Sequence, residues 1–291
     1  MLKKGRGVQV LVTGAAGRIG KLLQVAWTKD NLPGFGPIWC SRLATNSASV
    51  QWDILTDELP AIPPGAVILH LAGVLRGPTR ALAENAAMAL KVCVAAHKAG
   101  ARHVFFASSA AVYGPALGDH TEEEMPRPIS DYGRAKLAME RQVLQWSQNA
   151  GPFAPKITVL RIGNIVGADA LIGQATSGRK IRLDRIAGQI RGPLRSYIGP
   201  RALAGVLAQL LGRVSMQRAM PSILNIATQQ PVFMADLLDA AKIPFDFVLP
   251  KTFVIAKVCL STARLAKLAD LPDQNPDAMI ADWQSLSGVA A

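Results

Sequence analysis

The sequence predicts an α/β fold: a doubly wound parallel sheet followed by a small C-terminal lobe. Two observations predict it. Short apolar and β-branched runs at Val8–Thr13, Pro37–Ser41, Ala66–Leu71, His103–Ser108 and Lys156–Arg161 alternate with helix-like stretches at Ile19–Lys29, Arg80–Ala99 and Tyr132–Gln148. Continuous apolar strands separated by helices read as a parallel sheet covered on both faces. The length agrees. A chain of 291 residues, 50% of them hydrophobic, can bury one full core with a small appendage, and it is too apolar for disorder as its main state.

The first run leads into Thr13-Gly14-Ala15-Ala16-Gly17-Arg18-Ile19-Gly20. Strand, glycine turn and helix in that order form a Rossmann-type dinucleotide-binding unit. Gly14 permits the turn, Gly17 lets backbone N–H groups approach a pyrophosphate, and Gly20 lets the helix pack close. The helix N-terminus, with Ala16, Arg18 and Ile19 around it, faces the phosphates. The second run ends in Ser41-Arg42, where an acid would bind the ribose of NAD. A hydroxyl and a guanidinium suit a 2′-phosphate, so NADP is expected, with NAD possible; the alternative is a solvated Arg42. Asp53, followed by Ile54, closes the third strand, where it can bond an adenine amino group or cap the next turn. The stretch Arg80–Ala99 is rich in Ala, Leu and Met and stops at Gly100. Cys93 within it reads as a small core residue.

Tyr132 and Lys136 lie four residues apart, which places both on one helical face. A nearby ammonium is expected to lower the pKa of the phenol, which can then exchange a proton with a substrate hydroxyl during hydride transfer. Ser109 stands at the C-terminal end of a parallel strand, the edge where ligands bind, and can hold the reacting oxygen.

On these residues the sequence resembles the extended short-chain dehydrogenase/reductase family, also called the NAD-dependent epimerase/dehydratase family. The glycine spacing and the Ser109, Tyr132 and Lys136 set carry the likeness. The resemblance implies that these three are catalytic and that Tyr132 and Lys136 also touch the cofactor. It implies that His70-Leu71-Ala72-Gly73-Val74 is a cofactor loop. It implies that Asn85 helps hold the site, that Asn164 meets the substrate, and that Arg195 binds a substrate phosphate. Asn85 can equally bond a neighbouring backbone. Asn225-Ile226-Ala227 resembles the family's late strand, so the likeness runs from Val8 to Ala227. A homodimer through the helices at Arg80–Ala99 and Tyr132–Gln148 is also implied.

Departures narrow the chemistry. The family's 4,6-dehydratases carry an Asp-Glu pair where this chain has Ala110-Ala111, and its deoxy-sugar reductases carry a cysteine after the serine. Alanine transfers no proton. What remains is an NAD(P)-dependent oxidoreductase acting by reversible hydride transfer on a sugar-like or small polar substrate. The alternatives are a nucleotide-sugar epimerase with tightly bound NAD and a non-catalytic NADP-binding regulator. Family members often read Arg-Asp-Tyr-Ile-His where this chain reads Arg195-Ser196-Tyr197-Ile198-Gly199, which weighs against a standard nucleotide sugar.

Residues 1–167 are expected to form the dinucleotide-binding domain and 168–291 a small mixed substrate lobe, with elements near 200–227 returning to the core. Beyond Gly167 the period loosens, then helix is expected at Arg201–Arg213, strand at Ser222–Ala227 and helix at Met234–Ala241. The formal charge is +12, and seven basic residues fall between Arg179 and Arg201 against one acid, Asp184. Arginines bind planar anions bidentately, so this segment is a candidate anion site or else a solvated loop. Scarce aromatics there argue against nucleic acid. The three cysteines are too dispersed for a disulfide framework or CxxC pair, and His97, His103 and His120 lack metal-ligand spacing. No apolar run is long enough for a leader or membrane span, so a cytoplasmic protein acting on a small molecule is expected.

Overall fold

The computed structural model describes residues 8–30, 35–43, 50–58, 60–115, 118–175, 180–250 and 253–288. In chain order the first half runs β1 (Val8–Thr13), α1 (Arg18–Lys29), β2 (Phe35–Ser41), β3 (Val50–Gln51), β4 (Val67–His70), α2 (Thr79–Lys98), β5 (His103–Ser109), α3 (Asp131–Asn149) and β6 (Lys156–Ile162). There follow β7 (Asn164–Ile165), α4 (Ile172–Ala175), β8 (Ile181–Asp184), β9 (Leu194–Arg195), β10 (Tyr197–Ile198), α5 (Pro200–Ser215) and β11 (Ile223–Ile226). Last come β12 (Val232–Phe233), α6 (Met234–Ala240), β13 (Phe245–Val248), β14 (Lys257–Val258) and α7 (Pro276–Ser287).

Seven parallel strands form the main sheet in the order β11-β6-β5-β4-β1-β2-β3. The chain leaves β1 in one direction through β2 and β3, then crosses back to lay β4 on its other side. Thr13 therefore pairs with Cys40 on one flank and His70 on the other. A crevice opens at such a reversal, beyond the carboxyl ends of the strands, and ligands bind there. Both faces are buried, as the unalternating strands require. Val10, Val12, Leu69 and Phe105 pack against α1 and α5, while Leu11, Ile68, Val104 and Phe106 pack against α2 and α3.

Local signals set the helix ends that matter. Ser130 caps α3 by accepting from the Gly133 N–H at 3.0 Å. At α1 the cap is Gly17, which has no side chain and so makes no side-chain cap to the first-turn amides. Small sheets build the C-terminal part. β8 pairs with β13, β9 lies between β12 and β14, and β7 pairs with β10. Asp282 of α7 accepts from the Arg201 and Ala202 N–H groups and so caps α5 from outside. The Trp283 indole packs against Gly167, where φ is +82° and a Cβ would lie 2.1 Å from the ring.

Two buried histidines make the core acid-sensitive. Thr158 donates its hydroxyl proton to the Pro221 carbonyl, so it accepts from His103 Nε2 at 3.0 Å. Burial pulls His103 down from 6.5 to about 4 and His70, also opposed by Lys136, to about 3. Below about pH 6.5 the unfolded chain takes up protons that the fold refuses, so stability is expected to fall as pH drops towards about 4. Urea midpoints at about pH 7 and about pH 4.5 read this. His103→Gln, which cannot titrate, should lose less on acidification than the unaltered chain; an equal loss would assign the sensitivity to other groups.

Candidate active site

The crevice is shaped by two glycines. Gly14 has φ +75°, and a Cβ there would lie 2.6 Å from the Ala72 nitrogen. A Cβ on Gly20 would lie 2.4 Å from the Gly14 carbonyl, so the third glycine lets the helix close on the glycine turn itself. Gly14, Ala16–Gly20, Ser41, Arg42, Asp53, Ile54 and Leu71–Gly73 line one groove of about 710 Å³. The structure thus brings the expected cofactor residues together, with three differences. Ser41 is buried and its hydroxyl donates to the Leu43 carbonyl, so it offers no hydroxyl to a 2′-phosphate. Arg42 beside it is exposed. Asp53 lines the groove but also accepts from the Leu55 N–H, closing the turn after β3.

Asn85 is the third. It is buried on α2, accepts from the Val74 N–H at 3.1 Å and donates to the Val74 and Leu82 carbonyls. It holds the 71–74 loop onto the helix and does not line the groove. A Cβ on Gly73 would lie 2.7 Å from Asn85 Oδ1 and 3.2 Å from Lys136 Nζ, so the bare glycine keeps that approach open.

Next to the groove lies a cavity of about 240 Å³ lined by Ser109, Tyr132, Lys136 and Asn164. Ser109 ends β5 and accepts from the Ala111 N–H at 3.2 Å. Tyr132 sits in the first turn of α3 and lines the cavity beside Ser109. Burial pushes the phenol above its usual value, with Ser109 pulling it partly back. This corrects the expectation that Lys136 lowers it. The shared helical face is real, but the buried Lys136 ammonium turns inward and donates to the Ala107 carbonyl at 2.9 Å. Burial brings Lys136 from 10.5 to about 8, opposed by the carboxylate of Glu140. Behind it, Thr13 Oγ1 bonds His70 Nδ1 at 2.8 Å, while His70 Nε2 is buried without a partner.

Sequence reasoning missed the support beneath this floor. Glu140 and Arg161 form a buried ion pair at 2.7 Å, with Ser108 also donating to Glu140. The Arg161 guanidinium stacks on Tyr113 at 4.8 Å, and Tyr113 donates to Asn225 at 2.7 Å. The available signal was spacing: Glu140 follows Lys136 by one helical turn.

Beyond the cavity opens an outer cleft of about 1220 Å³, and the two share Arg76, Asn164, Asp169 and Ala170. Arg195 lines the cleft, but its guanidinium is taken by the Leu194, Ile255 and Ala256 carbonyls, and burial lowers its pKa. The basic segment is not one anion site. Lys180, Arg182 and Arg195 reach the cleft, whereas Arg191 pairs with Asp236 and Asp239, and Arg201 with Asp30. Arg179 lies outside the described residues. His120 is a buried scaffold residue, stacked on Tyr113 at 4.5 Å and bonded to Glu124. Cys93 is fully buried, its thiol pushed up to about 12.

Residues 10–191 match the sequence profile of the NAD dependent epimerase/dehydratase family. The chain belongs to that family. Among curated proteins it is 31% identical over 187 residues to the UDP-glucose 4-epimerase of Azospirillum brasilense, a match covering 58% of this chain and 53% of that protein. It is 28% identical over 193 residues to UDP-glucose 4-epimerase 3 of rice, Oryza sativa subsp. japonica, covering 57% and 51%. The match thus spans about half the length of these relatives. Solved structures agree in fold. A UDP-glucose-4-epimerase from Stenotrophomonas maltophila, with bound NAD and formylated UDP-arabinopyranose, superposes with a TM-score of 0.79 at 22% identity, covering 98% of this chain and 100% of that one. MoeE5 in complex with UDP-glucuronic acid and NAD gives 0.78 at 20% identity, covering 96% and 99%. Within the epimerase/dehydratase fold this chain carries Ala110 and Ala111 on the short 3-10 turn after β5, so no acid stands beside Ser109 there.

Proposed function

We propose that the chain is an NAD(P)-dependent oxidoreductase of the epimerase/dehydratase type, acting by reversible hydride transfer at a C–OH/C=O centre of a sugar-like or small polar substrate. One observation carries this reading. The glycine-turn groove, the Ser109–Tyr132 cavity and the outer cleft are contiguous, sharing first Arg18 and Ala168, then Asn164 and Asp169. The groove fits a dinucleotide, because α1 begins without a side-chain cap and a Cβ on Gly14 or Gly20 would strike backbone. A bound nicotinamide would supply or accept the hydride. The chain supplies the proton handling: Tyr132 gives or takes it, Ser109 orients the phenol, and Lys136 adds a buried cation at the inner wall.

Support for NADP is the exposed Arg42 at the end of β2, where no acid stands. Arg42→Ala is expected to weaken NADPH binding roughly 10- to 100-fold, the worth of a charge-assisted contact, and to leave NADH unchanged. Titration by calorimetry measures both. Equal losses for the two cofactors, or none, would move the reading to NAD.

A second reading, a nucleotide-sugar epimerase with tightly held NAD, draws on the size of the outer cleft and on the names of the curated relatives. The cofactor released on denaturing the purified protein separates the two. Retained NAD, with no net turnover of added cofactor, would favour the epimerase; loss of NADPH absorbance with a ketone or sugar would favour the first reading.

A further inference from the structure

Arg18 opens α1, immediately after the glycine cap, where the phosphates of a dinucleotide would sit. Its side chain crosses to the opposite wall. NH1 donates to two carbonyls far along the chain, Ala168 and Asp169, each at 2.9 Å. Nε and NH2 have no acceptor among the described residues, and Arg18 lines both the groove and the catalytic cavity. The side chain thus spans from the glycine turn to the opposite wall with NH1 engaged and its other donors without an acceptor among the described residues. A planar fork of this kind can hold carbonyls on one side and an anion on the other.

What it holds is the wall shared by the cavity and the outer cleft. The Asp169 carboxylate accepts from the Ile172 and Gly173 N–H groups at 3.0 and 3.1 Å through one oxygen, and from the Tyr197 hydroxyl at 3.2 Å through the other. Tyr197 lies on β10, which pairs with β7 at Asn164. Backbone and side chain of Asp169 are therefore both fixed, the first by Arg18 and the second by the elements that face the substrate.

We propose that Arg18 is a positioning residue that couples the cofactor seat to the substrate wall: an occupied pyrophosphate seat engages the remaining donors of its guanidinium and tightens the 168–173 segment through the Ala168 and Asp169 carbonyls. The cofactor then binds first, and the substrate closes on a wall already set. This rests on the dinucleotide reading of the groove.

Hydrogen–deuterium exchange, with calorimetry to measure affinity, tests it on the whole protein with NAD or NADP as the probe. In the unaltered chain, saturating cofactor should slow exchange at the Ile172 and Gly173 amides by about tenfold, the worth of one hydrogen bond to a charged group. Arg18→Met should bind the cofactor about tenfold more weakly and, once saturated, gain no protection at these amides. Arg18→Lys, which keeps the charge but not the fork, should recover most of the affinity and little of the coupling. A merely structural tie gives a different pattern. There, Arg18→Met would exchange faster without cofactor, yet show the same cofactor-induced protection as the unaltered chain, and that result would overturn the coupling. If the unaltered chain binds neither dinucleotide, the dinucleotide reading falls and this inference with it. If it binds but residues 172–173 do not respond, the inference alone falls.

Discussion

Glu140→Ala is expected to cost about 3–5 kcal/mol of folding stability, because it strands the Arg161 guanidinium in the core without its carboxylate. Arg161 already has one buried nitrogen, NH1, with no hydrogen-bond acceptor among the described residues. Glu140→Gln keeps the shape and the Ser108 contact and should be milder, and the pair should rank in that order by urea midpoint. The same change acts on the site. Glu140 offsets the desolvation that brings Lys136 to about 8, so its neutralisation lowers Lys136 further. The alkaline limb of activity should therefore move to lower pH in Glu140→Gln.

The stability linkage of Lys136 has a definite sign. Its folded pKa lies below the unfolded value of 10.5. Between about 8 and 10.5 the unfolded chain holds the proton and the fold does not, so this group favours folding more as pH rises through that window. Below about 8 the cost of the buried ammonium is fully present. A Glu140→Gln protein with an unmoved alkaline limb would show that Glu140 is scaffold only.

Tyr132→Phe is expected to lower turnover by about 10²- to 10⁴-fold, the usual worth of a positioned acid–base group. Folding and cofactor affinity should hardly change, since Tyr132 lines the cavity beside Ser109 and not the glycine-turn groove. The rate is followed as nicotinamide absorbance with whichever substrate the unaltered chain accepts. Full activity in Tyr132→Phe would end the assigned chemistry. Ser109→Ala should be less severe, because it removes a partner of the phenol and leaves the proton carrier in place.

The fold was legible because its signals are local and redundant. The run Val8–Thr13 has apolar residues on both faces, and a glycine turn and a helix follow it directly. Both facts are written within a dozen residues. The site was legible as a set of positions but not as a set of contacts. Four-residue spacing places Tyr132 and Lys136 on one face of α3, yet it says nothing of where a four-carbon side chain carries its ammonium, and here the Ala107 carbonyl takes it. The contacts of Ser41 and Arg195 were hidden for a similar reason. Each is the right residue at the right place, but a neighbouring carbonyl claims its donor. Glu140 and Arg161 join a helix to a strand 21 residues on, and no local pattern announces a pairing between two elements that pack only in the folded state.

The close fit of Trp283 on Gly167 has a consequence for what counts as the working unit. The loop after Gly167 is gripped from two ends of the chain at once, by residue 18 near its beginning and by the indole of the last helix. Residues 10–191 carry the family signature, but Tyr197, Asp282 and Trp283 all lie beyond them. A fragment cut to the signature would keep the glycine-turn groove and lose Tyr197 and Trp283, which hold the loop from its other side.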